Sequence, residues 1–187
     1  MAIAQRITEQ EFIELVFSDP DRTWELWDGV PREKPGMSMK HDNVSFLLGH
    51  LLQSQLSWES HRVNVSGGKA RLSARSYFVP DVVVIPAEYQ LPFEHDPRAF
   101  NAFTEPLPLV VEIWSSSTGD NDRETKLAGY RQRGDTEIWL IHPYDHTLTA
   151  WRRQPDGSYQ VSSIQGGFVS AESLPGVTID LDALLDW

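Results

Sequence analysis

Two apolar runs set the terms for this chain, because each carries a carboxylate where water should be absent. One is Phe78-Val79-Pro80-Asp81-Val82-Val83-Val84-Ile85; the other is Leu109-Val110-Val111-Glu112-Ile113-Trp114. Short β-branched runs bounded by turn residues read as buried strands. Strand alternation puts Asp81 on the face of Val83 and Ile85, and Glu112 on the face of Val110 and Trp114. A lone charge there is costly, so each acid must shift its pKa, find a cation or hold a metal. Two such carboxylates brought together would form a hard-oxygen site suited to Mg²⁺ or Mn²⁺. The plainer alternative pairs each acid with an arginine or with backbone amides at a strand end.

The flanking sequence supplies the other elements. Thr8 with Glu11 forms a capping box ahead of Phe12, Leu15 and Val16 at helical spacing, and Asp19-Pro20-Asp21 ends that helix. Trp24 to Trp27, the turn Asp28-Gly29 and Val30 read as a hairpin, followed by a loop from Pro31 to Met39. A long helix is expected over about 40–59, with Val44, Leu47, Leu48, Leu51, Leu52 and Leu56 as its stripe. Arg62–Val65 and Lys69–Leu72, flanking Gly67-Gly68, read as a second hairpin, and 87–107 as the longest loop. A helix spans about 119–133, with Ser117 or Thr118 as its cap, and a strand Thr136–His142 follows. A meander of Thr147–Arg152 and Ser158–Ile164 comes next, before a closing segment at Val177–Leu181. This order predicts an α/β (α+β) domain spanning 1–187, a mixed central sheet flanked by helices with an N-terminal helix and hairpins.

Composition narrows the chemistry. The 187 residues contain no cysteine, which excludes disulfides, thiolate metal sites and cysteine nucleophiles. No run approaches a membrane span, and the start MAIAQRITEQEF lacks signal-peptide character, so a cytoplasmic protein is expected. With 16 Lys and Arg against 27 Asp and Glu, the net charge of −11 argues against a non-specific nucleic-acid coat. It does not argue against an enzyme with a local basic surface and bound cations. Arg62, Lys69, Arg71 and Arg75 are the one thickening of positive charge, and a charge-protected strand edge is their simplest reading.

Asp122, Lys126 and Tyr130 are spaced four apart and share a helix face after the Glu112 strand. Lys126 could swing to the strand ends, or simply pair with Asp122. Glu25 in the first hairpin and His41 at the head of the long helix could each add a ligand, a phosphate contact or a proton-transfer group. No histidine pair has zinc spacing, no Gly-x-Ser-x-Gly surrounds Ser115–Ser117, and no phosphate-binding glycine loop is present.

The blocks Trp24-Glu25-Leu26-Trp27-Asp28-Gly29, His41, Pro80-Asp81-Val82-Val83-Val84 and Leu109 through Thr118 come in a specific order. Asp122, Lys126, Tyr130 and Gly134 through Pro143 continue it, with Leu174-Pro175-Gly176 near the end. In that order the chain resembles the Uma-type family of restriction endonucleases, within the PD-(D/E)XK nuclease superfamily. The resemblance implies a restriction-endonuclease-like fold, with Asp81 and Glu112 as the motif acids and metal ligands. It implies Glu25 as the acid of the first block and Lys126 as the catalytic lysine. The superfamily lysine normally stands two residues after the second acid, where this chain has Trp114, so Lys126 would be a displaced substitute. The activity implied is Mg²⁺- or Mn²⁺-dependent hydrolysis of DNA, with His41, Asp122 and Tyr130 as DNA or outer-shell contacts. A homo-oligomer, a dimer first, is the expected assembly. The competing expectation is a nuclease fold serving as a non-catalytic binding or regulatory module, motivated by Trp114 and the acidic charge.

Overall fold

The structure is a computed structural model that describes residues 5–116 and 120–186, and for 120–122 only the backbone. Ser117 and Thr118, expected as a helix cap, lie outside the described residues. Helix α1 (Glu9–Ser18) begins at the Thr8 capping box and stops at Asp19, as its residues dictate. Strands β1 (Trp24–Trp27) and β2 (Val30–Glu33) form the first hairpin, with Asp28 and Gly29 at positive φ in its turn. Helix α2 (Met39–Gln55) follows, capped by Ser38.

The chain then builds two sheets, passing between them repeatedly, and two of these crossings shape the site. Strand β3 (His61–Val65) belongs to a six-stranded sheet, whereas β4 (Lys69–Ser73) belongs to a five-stranded one. The expected hairpin across Gly67-Gly68 is therefore not formed. A glycine is needed at 68, where a Cβ would sit 3.0 Å from Val83 and 3.3 Å from Ile85. The return crossing comes at Val79-Pro80-Asp81. The run that reads as one strand in sequence is split into β5 (Ser76–Phe78) in the smaller sheet and β6 (Val82–Pro86) in the larger. Pro80 has no N–H to offer a ladder, which is why the run breaks there. The two crossings lie side by side, and Ser66 N–H donates to Asp81 O at 2.9 Å.

The stretch expected to be a loop holds the short helix α3 (Ala87–Gln90), a 3₁₀ turn and strand β7 (Ala102–Phe103). Strand β8 (Leu109–Ile113), helix α4 (Asp120–Arg133) and strand β9 (Glu137–His142) form a parallel crossover unit. Strands β10 (Thr147–Arg153) and β11 (Tyr159–Gln165) complete the larger sheet, in the order β11-β10-β9-β8-β6-β3. The smaller sheet runs β2-β1-β5-β4-β7. Strands β12 (Phe168–Ser170) and β13 (Thr178–Asp180) form a ribbon ahead of α5 (Leu181–Leu185).

Two apolar layers sandwich the six-stranded sheet. On one face Val82, Val84, Leu109, Val111 and Ile141 pack against Val44, Leu48 and Leu52 of α2 and Leu181 and Leu184 of α5. On the other, Val83, Ile85, Val110 and Ile138 meet Tyr130 of α4 and Ala70, Phe78 and Phe103 of the smaller sheet. The mixed sheet flanked by helices is as expected, with a second sheet added where hairpins were read. Among the described residues, no helix is long and apolar enough to cross a membrane.

Candidate active site

Asp81 sits at the crossing between the sheets, one residue before β6. Its backbone N–H donates to Val111 O at 3.1 Å, and its Oδ2 accepts from Ile113 N–H at 2.7 Å. Asp81 thus grips β8 on both sides of Glu112, which brings the two carboxylates to neighbouring strand ends. Lys34 Nζ donates to Asp81 Oδ1 at 2.7 Å and to Val79 O at 2.9 Å. His41 Nε2 lies 3.0 Å from Asp81 Oδ2 without the alignment of a full hydrogen bond. Burial alone would raise the Asp81 pKa, but Lys34, His41 and Lys126 outweigh it and hold the carboxyl far below its ordinary range. The same contact works in reverse on His41, whose burial is outweighed by Asp81, so its pKa is raised.

Lys126 comes from α4 and is buried between two acids. Its Nζ is 2.6 Å from Glu112 Oε1, 3.0 Å from Glu25 Oε1 and 3.2 Å from Val79 O. Desolvation would lower its pKa; Glu112, Glu25 and Asp81 reverse that and raise it above the ordinary lysine value. Glu112 is pushed up by burial and by Asp81 and Glu25, with Lys126 opposing. Tyr130, one turn beyond Lys126, donates its hydroxyl to Glu112 Oε1 at 2.5 Å. Glu25 accepts from Val79 N–H at 2.8 Å and from Trp27 Nε1 at 2.9 Å. Burial alone would raise its pKa, but Lys126 and Lys34 outweigh this and hold it down.

The structure therefore brings together Asp81, Glu112, Lys126, Glu25, His41 and Tyr130. The side chain of Asp122 lies outside the described residues. The four basic residues singled out in the sequence do not form one surface. Arg71 is paired with Glu9 and Arg75 with Asp28, while Arg62 lies over Trp58 and Lys69 over Phe100. Sequence reading missed Lys34. Counting outward from Asp28-Gly29 pairs Trp27 with Val30 and Glu25 with Arg32, so the next step, Thr23 with Lys34, puts Lys34 on the face of Glu25. The ladder does continue that far, with Lys34 N–H donating to Thr23 O at 2.8 Å.

A cleft of about 60 Å³ opens onto this cluster between Glu25, Lys34, Asp81, Glu112 and Lys126. Its polar lining is carboxylates, the ammonium groups of Lys34 and Lys126 and the Arg32 guanidinium, with the Met37 thioether beside them and no histidine. Among the described residues no three His, Asp or Glu side chains converge as a ready metal cage. What the arrangement offers is two hard-oxygen donors, Asp81 and Glu112, each now neutralised by an ammonium.

No curated protein matches the chain in sequence. It is similar over 97% of its length to 98% of the crystal structure of a "putative nuclease belonging to DUF820" from Anabaena variabilis ATCC 29413, with a TM-score of 0.75 and 21% identity. At that identity the likeness carries the fold, which is of the restriction-endonuclease-like kind. The model of one family, described as "Putative restriction endonuclease", matches residues 9–182. With nearly the whole chain covered, the protein belongs to the Uma2 family.

Proposed function

We propose that the protein is a divalent-cation-dependent DNA endonuclease of the PD-(D/E)XK type, cutting phosphodiester bonds at the Asp81–Glu112 cleft. The observation that carries this reading is the burial of Lys126 against Glu112 at the end of β8, beside Asp81. A nuclease fold kept only for binding has no need to hold an ammonium and three carboxylates out of water.

Asp81 and Glu112 are the ligands that would hold Mg²⁺ or Mn²⁺, cations that suit hard-oxygen donors. When bound, the cation would supply Lewis acidity to the phosphate and lower the pKa of a water. The remaining work falls to the chain. Lys126 places a fixed positive charge in the wall of the cleft, where it orients the attacking water and offsets charge developing on the phosphoryl oxygens. Glu25 and Val79 O hold that ammonium in place. Tyr130 fixes the rotamer of Glu112. Lys34 and His41 keep Asp81 ionised and ready to receive a cation.

The test pairs calorimetry with cleavage. The intact protein should bind Mg²⁺ or Mn²⁺ and cut DNA, while Asp81→Asn and Glu112→Gln should lose binding and slow cleavage by on the order of a hundredfold or more. Unchanged metal-dependent cleavage by Asp81→Asn would sink the mechanism.

A further inference from the structure

The position two residues after Glu112 is occupied by Trp114, whose surroundings are unlike those of Trp24, Trp27 and Trp151. Those three pack against the apolar clusters. Trp114 instead stands just past β8 on the face of Glu112, half-buried. Its ring stacks on His142 with centroids 4.3 Å apart and planes 29° from parallel. Tyr144, 55% exposed, meets Trp114 edge-on at 5.9 Å. The backbone N–H of Asp145 donates to His142 Nδ1 at 3.1 Å, which fixes the backing ring. The stack is continuous with the catalytic cleft: Trp114, Glu112 and Lys126 line one small cavity, together with Arg123. On its outer side, Lys40 Nζ lies 5.8 Å from the Tyr144 ring centre.

An aromatic platform with cations at both ends, opening onto buried carboxylates, has the chemistry to take a base and its flanking phosphates. A chain at −11 cannot rely on long-range attraction to a polyanion. Stacking supplies affinity that needs no net positive charge, and every base has a face to offer. Bases inside an intact duplex are already stacked on each other and present only edges and backbone. Resting on the nuclease reading, we propose that Trp114, backed by His142 and flanked by Tyr144, is the stacking site for an unpaired nucleobase beside the scissile phosphate. Single-stranded or frayed DNA is then the preferred substrate.

The experiment measures binding without cutting. Asp81→Asn protein is titrated into a labelled single-stranded oligonucleotide and into a blunt duplex of the same sequence, and anisotropy is read. The same titrations are run with Trp114→Leu, Trp114→Phe and Tyr144→Leu added. The single strand should bind more tightly than the duplex. Trp114→Leu should weaken single-strand binding about tenfold, Trp114→Phe should restore most of it, and the exposed Tyr144→Leu should weaken it by less. Tyr144→Leu also keeps the test decisive should Trp114→Leu lower the urea midpoint. Equal binding by the Trp114 and Tyr144 variants, or a preference for the duplex, overturns the stacking site and leaves the nuclease reading standing. No binding of either DNA by the Asp81→Asn parent overturns the stacking site, and leaves the nuclease reading to its own test because that variant is expected to lose the cation as well.

Discussion

At the scale of single residues, the site is a charge balance held away from water. Three carboxylates, Glu25, Asp81 and Glu112, face the ammoniums of Lys34 and Lys126, with His41 against Asp81. Lys34 is the member whose removal tells most. A carboxyl held below its unfolded pKa contributes stability that is present above roughly pH 4 and lost as the pH falls through its lower folded value. Lys34 is the leading cause of that depression at Asp81, ahead of His41 and Lys126. Lys34→Met should therefore lower stability at neutral pH in the presence of chelator by about 3–5 kcal/mol, the usual cost of stranding a buried charge. The decline of stability below about pH 4 should flatten, because less remains there to be lost. Added Mg²⁺ should recover part of the neutral-pH loss, since it binds the folded state at the carboxylate the ammonium has left. Urea melts across pH, with and without Mg²⁺, measure all of this; a variant as stable as the parent in chelator would show that Lys34 is only a surface contact. Asp81, Glu112 and Lys126 could be picked out in the sequence because an acid in an apolar run, or a lysine in helical register with it, breaks a pattern. Lys34 broke none. Pro31 and Pro35 made its segment read as a loop, and only the register of the hairpin places it.

At the scale of elements, the sequence is most readable where one residue does one local job. The Thr8–Glu11 box, the Asp28-Gly29 turn and the Gly134 stop at φ +81° all act where their chemistry predicts. It misleads where tertiary pairing decides. The runs 62–72 and 78–85 each have the right apolar pattern for a single strand pair or strand, yet each is divided between two sheets. Pattern fixes the strand, but partner choice lies with residues far along the chain. Packing between α4 and β5 shows how tightly this second sheet supports the site. A Cβ on Gly129 would drive into the Phe78 ring edge at Cε2, and Phe78 itself packs between Trp27 and Tyr130, with ring centres 5.4 and 5.8 Å away. Gly129→Ala should gain up to about 1 kcal/mol of helix propensity and lose about 1–3 kcal/mol to overpacking. Phe78 and Gly129 both line an open groove of about 680 Å³, but turning Phe78 into it would give up its ring contacts with Trp27 and Tyr130, so the loss should win. Displacing Phe78 also shifts Tyr130 and so Glu112. The variant should fall in both urea midpoint and cleavage rate; a rise in midpoint would mean that helix α4 can slide away from β5.

At the scale of the whole molecule, the question is what keeps two sheets in a fixed relation, since the residues of the candidate site come from both. Glu25 and Lys34 belong to the hairpin of the smaller sheet, and Asp81 and Glu112 to the larger. Beyond apolar contact, the junction holds a buried ion pair. Arg133, at the end of α4, bonds Asp135 Oδ2 through Nε at 3.0 Å, with both side chains shut from solvent. The same guanidinium donates to the backbone carbonyls of Arg71 in β4, Phe103 in β7 and Glu105. Asp135 accepts from Leu107 N–H at 2.8 Å, just ahead of β8. One cation thus satisfies carbonyls of the smaller sheet, while its partner anion anchors the entrance to the larger. Burial raises the pKa of Asp135 against the pull of Arg133, so this carboxylate has little reason to stay charged once the guanidinium is gone. Arg133→Met should cost about 3–5 kcal/mol, leaving a buried acid and several carbonyls unpaired. Adding Asp135→Asn should cost clearly less than the sum of the two single losses, because the amide is neutral without the proton uptake that Asp135 would need at neutral pH once Arg133 is gone. That shortfall, read from denaturant melts of the two single variants and the pair, measures the coupling. Strictly additive losses would mean that Arg133 and Asp135 act independently, and the geometry that sets Lys34 and Glu25 against Asp81 and Glu112 would then owe nothing to their pairing.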